Sequence, residues 1–414
     1  MQTSDIYHTQ GIRGFKVATT HYIDGLCIVK IKASEHICPR CRSSEVTFYP
    51  VRERQVQGQK CGSQRLLIKV DVHRIYCTRC GMQSYEQLDF LPYPKARVTR
   101  SLARTLLELR SSMSLSAICR YYHIDWDTLK ALEISALEKK YRHIRLKDVR
   151  VMGIDEIHVG HERVDGKRRQ KYLTIVRDLV SGAVLFVGDG KGCEALAPFN
   201  RRIRQFRANI DAICMDMSNA YTKWVNAQFP NATVVYDHFH VIKLVNEKLD
   251  QIRRNVQNDL DEQNRKELKG KRWRLLGNRE NLNEDDRLFM EQLRTISKEL
   301  HDAWVLKEQL RSIFKLADNA DDAKAMLMQW ADICQRTECK PMATLGRTIL
   351  RHMDGICAYW TQNGLTNAAM EGFNNKVRHM FSQAYGFHDY NYVKLKIHEL
   401  PSMEIKTQLL SSCS

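Results

Sequence analysis

Residues 149–237 alternate between short apolar runs and helical segments, a pattern that predicts a sheet flanked by helices. Turns are expected where Asp165-Gly166 and Ser181-Gly182 separate the first three apolar runs. The predicted elements are strand, strand, strand, helix, strand, helix and strand, at 149–159, 171–178, 183–189, 194–206, 210–217, 219–228 and 232–236. Three hairpin-linked strands followed by this alternation predict an α/β fold with a mixed sheet.

Helical periodicity continues through most of the chain after residue 237. Asp237 is placed to cap the first and longest of these helices. The C-terminal part is therefore predicted to consist of a sheet domain, an all-helical segment, the last helices of the sheet domain and a tail, at 147–240, 241–360, 361–400 and 401–414.

Residues 1–95 predict a small β-rich module. The module contains two Cys-x-x-Cys pairs, formed by Cys38, Cys41, Cys77 and Cys80. Four thiolates in two such pairs are the tetrahedral ligand set of structural Zn²⁺, as in zinc ribbons. Two alternatives stay open: four unrelated thiols, or a zinc site in which Cys61 or His73 replaces one cysteine.

Residues 96–146 predict a basic helical domain. Its central part has the rhythm of a helix-turn-helix, in which Asp125 or Asp127 can cap the second helix. That helix would present Thr128 and Lys130 to a groove of DNA. A plain helical hairpin is the alternative.

Three acidic residues suggest the chemistry. Asp155 interrupts an apolar strand, Asp216 ends another, and Glu371 lies on a late helix among polar and basic residues. Burying a carboxylate is costly unless a metal, a cation or a hydrogen-bond network faces it. Mg²⁺ and Mn²⁺ prefer carboxylate oxygens together with water and phosphate. The three acids therefore indicate a divalent-metal site that acts on a phosphodiester.

The overall charge is consistent with such a substrate. The 414 residues include 65 Lys and Arg against 48 Asp and Glu, a formal net charge of +17. This excess favours a polyanionic partner, because contacts with phosphates release counterions. The sequence shows neither a membrane-spanning segment nor a secretory start, and the cysteines outside the two pairs are scattered. These features predict a cytoplasmic protein with reduced thiols and no membrane partner.

Several blocks of sequence, taken in order, resemble one family of enzymes. Besides the cysteine pairs they are 153–158, 215–221, 236–243, 273–282, 366–378 and 384–387. The chain resembles the RNase H-like DDE transposases, and more closely the ISL-three family of bacterial insertion-sequence transposases. The resemblance extends from about residue 14 to residue 398.

This resemblance implies an RNase H-like catalytic core, with the long gap between Asp216 and Glu371 filled by an all-α insertion. Asp155 is expected to bind both of two Mg²⁺ or Mn²⁺ ions, while Asp216 and Glu371 each complete one site. The implied reaction is cleavage of DNA followed by strand transfer of the freed 3′-hydroxyl. The implied partners are terminal inverted repeats and target double-stranded DNA, bound by a homodimer or higher homo-oligomer in the bacterial nucleoid.

Other side chains are candidates for DNA contact or for support of the metal ligands. The DNA-contact candidates are Lys269, Lys271, Arg272, Trp273, Arg274, Asn374, Lys376 and Arg378. The run at 269–274 is equally well interpreted as a solvated helix face. Asp237 is expected to be mainly a helix cap, with His238 and His240 orienting it or a phosphate. Glu156 is expected on the opposite face of the sheet from Asp155, in a structural role.

Two other functions remain possible from the sequence. One is a DNA-binding regulator derived from a transposase, although it would not need all three acids. The other is an RNase H-like nuclease that cuts a particular DNA structure without strand transfer, although it would not need modules that bind element ends.

Overall fold

The computed structural model describes residues 1–110, 112–144, 146–204, 209–384 and 387–401. The chain divides into two compact units, Met1–Arg142 and His143–Ser414. The predicted tail at 401–414 lies outside the described residues except for its first position, as do residues 385–386 of the last family block. No helix among the described residues is both long and apolar enough to cross a membrane.

The first unit begins with strands and ends with helices. Its elements are α1 (Thr3–Gln10), β1 (Phe15–Ile23), β2 (Leu26–Ala33), β3 (Val46–Cys61), β4 (Gln64–Cys77), β5 (Gln83–Tyr85), α2 (Arg100–Leu109), α3 (Leu115–Tyr122) and α4 (Trp126–Tyr141). The strands form one sheet in the order β1-β2-β4-β3, with β5 beside β4. Asp24 and Gly25, both with positive φ, form the tight turn between β1 and β2.

Helices α2, α3 and α4 pack around a small core of their own. Leu106, Ile118 and Leu129 are fully buried there, one from each helix. His123 ends α3 in the left-handed conformation, with a φ of 53°. Asp125 occupies the N-cap of α4, but its side chain accepts no capping hydrogen bond. Asp125 therefore occupies the expected N-cap position but does not form the expected capping hydrogen bond.

The second unit contains the predicted sheet and the helices that follow it. The sheet segment comprises β6 (Val151–Val164), β7 (Lys167–Asp178), β8 (Val184–Asp189), α5 (Cys193–Ile203), β9 (Ala212–Met215), α6 (Asn219–Gln228) and β10 (Thr233–Tyr236). The helical segment comprises α7 (His238–Asp259), α8 (Glu262–Leu268), α9 (Arg272–Leu276), α10 (Glu284–Ile296), α11 (Lys298–Leu316), α12 (Ala320–Arg336), α13 (Lys340–Arg351), α14 (Met353–Thr361), α15 (Ala368–Gln383) and α16 (Tyr390–Glu399).

These strands form a mixed sheet in the order β10-β9-β6-β7-β8. Strands β6, β7 and β8 are antiparallel neighbours, whereas β9 and β10 run parallel to β6. The seven predicted elements are all present in the predicted order. The main difference is that β6 and β7 extend well beyond their predicted ends towards the turn at Asp165.

The two faces of the sheet are covered by different helices. Met152 and Ile154 of β6 are buried on one face in a core shared with Phe199 of α5 and Val225 of α6. Ile157, on the other face, is buried in a core built mainly with α15 and α16. Because side chains alternate along a strand, Asp155 lies on the α15 face.

Arg177 of β7 fastens α15 to this face. Its guanidinium donates to the carbonyl oxygens of Ala369 at 2.7 Å and of Gly182, and it lies 4.1 Å from the centre of the Phe373 ring. Burial lowers the pKa of Arg177 to about 10, so the group still carries its charge at neutral pH. One hydrogen bond and one cation–π contact from this buried cation thus fix the start of α15, while its bonds to Gly182 tie it to the turn before β8.

Gly153 makes a close approach of α15 possible. A Cβ atom at this position would lie 2.7 Å from Leu179 and 2.8 Å from Met370 of α15. Gly153→Ala should therefore lower the free energy of unfolding by about 1–3 kcal/mol, because the added methyl group overpacks the interface. Chemical denaturation measures the change.

Gly372 is the matched control, because a Cβ atom there meets no atom within 4 Å. Gly372→Ala lies inside α15 and should stabilise the protein by about 0.5–1 kcal/mol. Equal effects of the two substitutions would contradict the close packing of α15 on β6.

Candidate active site

Asp155 and Asp216 come together because their strands are parallel neighbours. Ile154 of β6 is paired with Met215 of β9, and each aspartate is the next residue along its strand. The two carboxylates are therefore brought to adjacent positions near the carboxyl end of β9. Their charges interact, since Asp216 is one of the groups that raise the pKa of Asp155.

The environment of Asp155 disfavours its charged form. Burial and then the charge of Asp216 raise its pKa to about 6, although the backbone N–H of Glu156, 2.7 Å from Oδ1, partly offsets this. Two carboxylates that repel each other in a partly buried site are arranged for a cation. A divalent metal ion would supply that charge, since hard oxygen donors are the ligands that Mg²⁺ and Mn²⁺ prefer.

His240 of α7 is the cationic neighbour of Asp216. Its Nε2 lies 2.7 Å from Asp216 Oδ1. Burial lowers the pKa of His240, but the hydrogen bond and the charge of Asp216 outweigh this and raise it overall. His240 therefore contacts a predicted metal ligand, Asp216, whereas the sequence predicted Asp237 or a phosphate as its partner.

Asp237 and His238 have different roles. Asp237 is the N-cap of α7, accepting from the backbone N–H of Phe239 at 3.4 Å, so the predicted cap is confirmed. It is 4% exposed, and burial raises its pKa. His238 packs its ring against Phe239 and Tyr359, and burial lowers its pKa. Its Nδ1 also lies 3.7 Å from Asp237 Oδ1, so His238 packs and faces the carboxylate, and its expected orienting role stays a prediction.

Asn374 of α15 binds Asp155. Its Nδ2 donates to Asp155 Oδ2 at 2.6 Å, and Asn367 Nδ2 lies 3.5 Å from the carbonyl oxygen of Ile154. Both asparagines are 2% exposed. The Asn374 amide is thus buried and bound to the Asp155 carboxylate, which is a different contact from the predicted one with DNA; the DNA contact itself stays a prediction. The Oδ1 atoms of both asparagines are buried without a hydrogen-bond partner among the described residues.

Glu371 lies on the same helix but is exposed. It is one turn from Asn367 and three residues before Asn374, so its Cα belongs to the stripe of α15 that faces β6. No three ligand atoms of His, Cys, Asp or Glu lie within 4.8 Å of one another anywhere in the described part of the second unit. Glu371 and the two aspartates therefore do not form a closed ligand set in this structure, and its metal-binding role remains a prediction.

The remaining DNA-contact candidates differ in how available they are. Lys376 and Arg378 are exposed on α15. Trp273 is 72% exposed. Four others already have partners. Arg272 forms an ion pair with Asp250 at 3.2 Å, and Arg274 forms one with Asp286 at 2.7 Å. Lys271 lies 5.1 Å from the ring centre of Phe289, and Lys130 lies 5.3 Å from the ring centre of Trp126. Lys269 is exposed and Thr128 is half-buried.

The first unit contains a second candidate metal centre. Its sulfur atoms, from Cys38, Cys41, Cys77 and Cys80, all lie within 4.8 Å of one another. Two of the separations, Cys38 to Cys80 and Cys41 to Cys77, are 3.6 Å. Four sulfurs bound tetrahedrally at about 2.3 Å would be roughly 3.8 Å apart, so the spacing fits Zn²⁺. The backbone N–H of Cys41 lowers the pKa of Cys38 to about 6, which favours the thiolate that zinc binds.

The two proposed substitutes for a zinc ligand lie elsewhere. His73 and His36 each place Nδ1 2.9 Å from one oxygen of Glu86. Cys61 is hydrogen-bonded to Cys27. Neither His73 nor Cys61 belongs to the cysteine cluster among the described residues, so that cluster is formed by the two Cys-x-x-Cys pairs alone.

The family assignment follows from comparison with known proteins. The model of the ISL-three family of DDE enzymes, described as a transposase, matches residues 152–397, which is more than half of the chain. The chain belongs to this family. It is similar to the transposase for insertion sequence element IS1001 of Bordetella parapertussis, with 28% identity over 375 residues that cover 89% of each chain.

Two further similarities are more distant. The transposase for insertion sequence element IS1557 of Mycobacterium tuberculosis is 26% identical over 361 residues, which cover 81% of this transposase and 78% of the relative. The Drosophila P element transposase strand transfer complex aligns with a TM-score of 0.40 and 13% identity, covering 77% of this chain and 96% of that one. A structural likeness this weak carries no argument about this transposase.

Two supporting groups of this transposase were not anticipated from its sequence. Asn374 was expected to contact DNA and Asn367 was not among the candidates; their spacings of three and four residues from Glu371 are the signal that all three lie on one side of α15. Arg177 lies in the apolar strand β7, and a lone arginine in such a strand is the sequence signal that could have indicated its role in holding α15. Glu156 accepts from the Tyr221 hydroxyl at 2.5 Å and from the backbone N–H of Gly192, which confirms its structural role.

The cysteine cluster predicts how zinc should depend on single residues. Cys38→Ser should lose the zinc, because three thiolates and a hydroxyl no longer form the tetrahedral sulfur site. Cys61→Ser is the control and should keep one zinc per chain. Elemental analysis of the purified proteins distinguishes them, and unchanged zinc in Cys38→Ser would rule out this site.

The raised pKa of Asp155 predicts a pH-dependent effect on stability. The folded state holds the proton up to about pH 6, whereas the ordinary value is 3.8. The free-energy penalty for ionising Asp155 in the folded state is thus absent below about pH 4, grows between about pH 4 and pH 6, and is complete at pH 7. In metal-free buffer, Asp155→Asn should raise the free energy of unfolding by about 2–3 kcal/mol at pH 7 and hardly at all at pH 4.

Asp211 is the control for this experiment, since it is exposed at the start of the strand that leads to Asp216. Asp211→Asn should leave the free energy of unfolding within about 0.5 kcal/mol of wild type at both pH values. A stabilisation by Asp155→Asn that is the same at pH 4 and pH 7 would contradict a buried, charge-repelled carboxylate.

Proposed function

We propose that this transposase binds the terminal inverted repeats of an insertion sequence, cuts the DNA there and joins the freed 3′-ends to target DNA. Asp155, Asp216 and Glu371 would be its catalytic acids. The observation that carries this proposal is the hydrogen bond from Asn374 to Asp155, because it brings the helix that bears Glu371 onto the strand pair that bears the two aspartates.

The strand order supports an RNase H-like core. Three antiparallel strands, β6 to β8, are followed by β9 and β10, which extend the sheet on the other side of β6. Asp155 lies on the central strand and Asp216 just beyond its parallel neighbour, as the family resemblance implies for the first two acids. The helices α7 to α14 occupy the chain between this sheet and α15, where the resemblance implies an insertion.

The donor set fits divalent ions. Asp155 and Asp216 would hold Mg²⁺ or Mn²⁺, with Glu371 as a further ligand, and the buried Oδ1 of Asn374 is an oxygen without a partner beside them. When bound, such ions supply activation of the attacking oxygen and stabilisation of the leaving oxygen in displacements at phosphorus. The arrangement provides no covalent nucleophile and needs none, since water and the 3′-hydroxyl are the attacking groups.

The side chains around the acids have definable tasks. Asn374 orients one oxygen of Asp155 and the backbone N–H of Glu156 orients the other, so the carboxylate is held before any ligand arrives. His240 holds Asp216 in the same way. Arg177 keeps the first turn of α15, and therefore Glu371, at a constant height above the sheet.

The first unit would recognise the ends of the element. Its cysteine cluster would bind one structural Zn²⁺, and α3 and α4 would form a helix-turn-helix whose second helix enters a major groove. Lys130 and Thr128 of α4 are the proposed contacts, and exposed Trp126 and Tyr121 lie in the same helical pair. Two ends must be held together for joining, so we infer a homodimer or higher homo-oligomer when DNA is bound.

Substitution of each acid tests the catalytic assignment. Asp155→Ala, Asp216→Ala and Glu371→Ala should each slow cleavage of end-bearing DNA by at least about a thousandfold, because each removes a metal ligand. Binding of the same DNA should change little, since the end-binding unit is untouched. Cleavage and strand transfer into a plasmid are followed with Mg²⁺ or Mn²⁺, and binding with Ca²⁺.

Asp211→Ala removes an exposed carboxylate and should cleave like wild type. Substantial cleavage by any of the three variants would remove that residue from the catalytic set. Cleavage by wild type without joining would identify a nuclease, and binding without cleavage would identify a regulator.

A further inference from the structure

The β6–β7 hairpin continues beyond the sheet as a two-stranded ribbon. Pairing of β6 with β9 stops at Ile154, and pairing of β7 with β8 begins at Leu173. Between them, residues 158–172 pair only with each other, from His158 opposite Tyr172 to Val164 opposite Lys167, among the described residues. A lone hairpin is marginally stable in water, so a ribbon of this length is expected to have a partner.

The ribbon is strongly basic. Within 158–172 five cations face two acids, and the cations are Arg163, Lys167, Arg168, Arg169 and Lys171. Glu162 is paired with Lys171 at 2.9 Å. Lys167 and Arg169 are exposed and form no ion pair with any other described residue. Unpaired charges on a protruding strand are arranged for an anionic partner.

Three of these cations lie on the face of the sheet that carries Asp155. Ile175 of β7 is directly opposite Asp155, and β7 is paired at every residue from there to Lys167, because the one bulge of this ladder lies in β6 between His158 and Gly160. Lys171, Arg169 and Lys167 therefore follow at every second residue on the same face, about 6.8 Å apart. This spacing is comparable with the distance between neighbouring phosphates of one nucleic-acid strand.

We propose that this ribbon, through Lys167, Arg169 and Lys171, is a binding site for double-stranded DNA that leads the duplex to Asp155. The inference rests on the proposed function and adds a contact surface to it. A two-stranded ribbon fits the major groove of B-form DNA. Four to eight residues of strand separate Ile175 from these cations, or about 14–27 Å. The bound phosphates then lie roughly 4–8 base pairs from the cleavage site.

At the base of the ribbon, the protein surface forms a cleft beside the proposed path of the DNA backbone. The cleft has a volume of about 860 Å³ and is lined by Lys171 and Lys191 together with Glu162, Asp189 and the start of α16 with Asp389. Lys171 lies 3.6 Å from the centre of the Tyr390 ring, which holds its ammonium group at the edge of the cleft. Because Lys171 is paired with Glu162 and Asp189 with Lys394, the cations of this face that form no ion pair with a described residue are Lys167 and Arg169, nearer the tip of the ribbon, and these two are expected to dominate the contact with phosphates.

A charge-matched pair of double variants tests the proposal. Lys167→Ala with Arg169→Ala removes two ribbon charges. Arg201→Ala with Lys223→Ala removes two exposed charges from α5 and α6, which cover the opposite face. Binding of the full-length protein to a 40-base-pair duplex is measured in Ca²⁺ over a range of salt concentrations, and nicking of supercoiled plasmid is measured in Mn²⁺.

The ribbon variant should bind at least about tenfold more weakly at 0.1 M salt, with the slope of log K against log salt reduced by about 1.8. Its nicking should fall in parallel, while the α5–α6 variant stays within about twofold of wild type. Lys167→Arg with Arg169→Lys keeps the charges and should restore both readouts. The difference should vanish on duplex RNA, whose major groove is too narrow for a ribbon.

Equal salt slopes for the two double variants, with wild-type nicking intact, would overturn the ribbon proposal and leave the proposed function standing. The same loss on duplex RNA as on DNA would also overturn it. Wild-type protein that neither binds nor nicks DNA would instead overturn the proposed function and this inference together.

Discussion

The hydrogen bond between Asn374 and Asp155 is the interaction on which the catalytic half of this transposase depends. It joins two segments 219 residues apart, with the helices from α7 to α14 between them in the chain. It adds a polar contact to the apolar packing of Met370, Phe373 and Val377 of α15 on this face of the sheet. Gly153 removes the steric obstacle, and Arg177 fastens the first turn. Asn374 then sets the rotation of the helix, because its amide must point at the carboxylate.

The hydrogen bond between Asn374 and Asp155 stabilises the position of α15, whereas burial of the Asp155 carboxylate costs free energy. The amide satisfies one oxygen of Asp155, but burial and Asp216 still raise the pKa to about 6. The fold therefore holds two acids close together at a free-energy cost, which cations offset. His240 supplies part of that compensation in the protein itself, through Asp216. The rest is left to a ligand, which is the usual condition of a metal site before binding.

Much of this architecture could be predicted from the sequence, because it rests on local patterns. The strand runs, the Asp165-Gly166 turn and the Asp237 cap are each determined by residues close together in the chain. The two Cys-x-x-Cys pairs predicted the cysteine cluster for the same reason, since the two residues of each pair are close together in the chain. The burial of Asn374 could not be predicted, since an asparagine among basic residues on a helix resembles a surface residue until its partner strand is known. The extension of β6 and β7 was also missed, because residues 160–170 are too polar to read as strand.

The position of Glu371 shows how far the protein alone determines its catalytic geometry. Asp155 and Asp216 are fixed by the register of two strands, so their separation cannot change without unpairing the sheet. Glu371 is fixed only through its helix, and its side chain retains rotamers that face solvent. In the proposed metal site, Asp155 and Asp216 would therefore be preorganised ligands and Glu371 an adjustable one. An adjustable third ligand suits a reaction in two stages, in which first water and then a 3′-hydroxyl must occupy the position of the attacking group. In the proposed reaction, the two aspartates would keep their positions through both stages, while the exposed Glu371 carboxylate would adjust to the exchange of the attacking group.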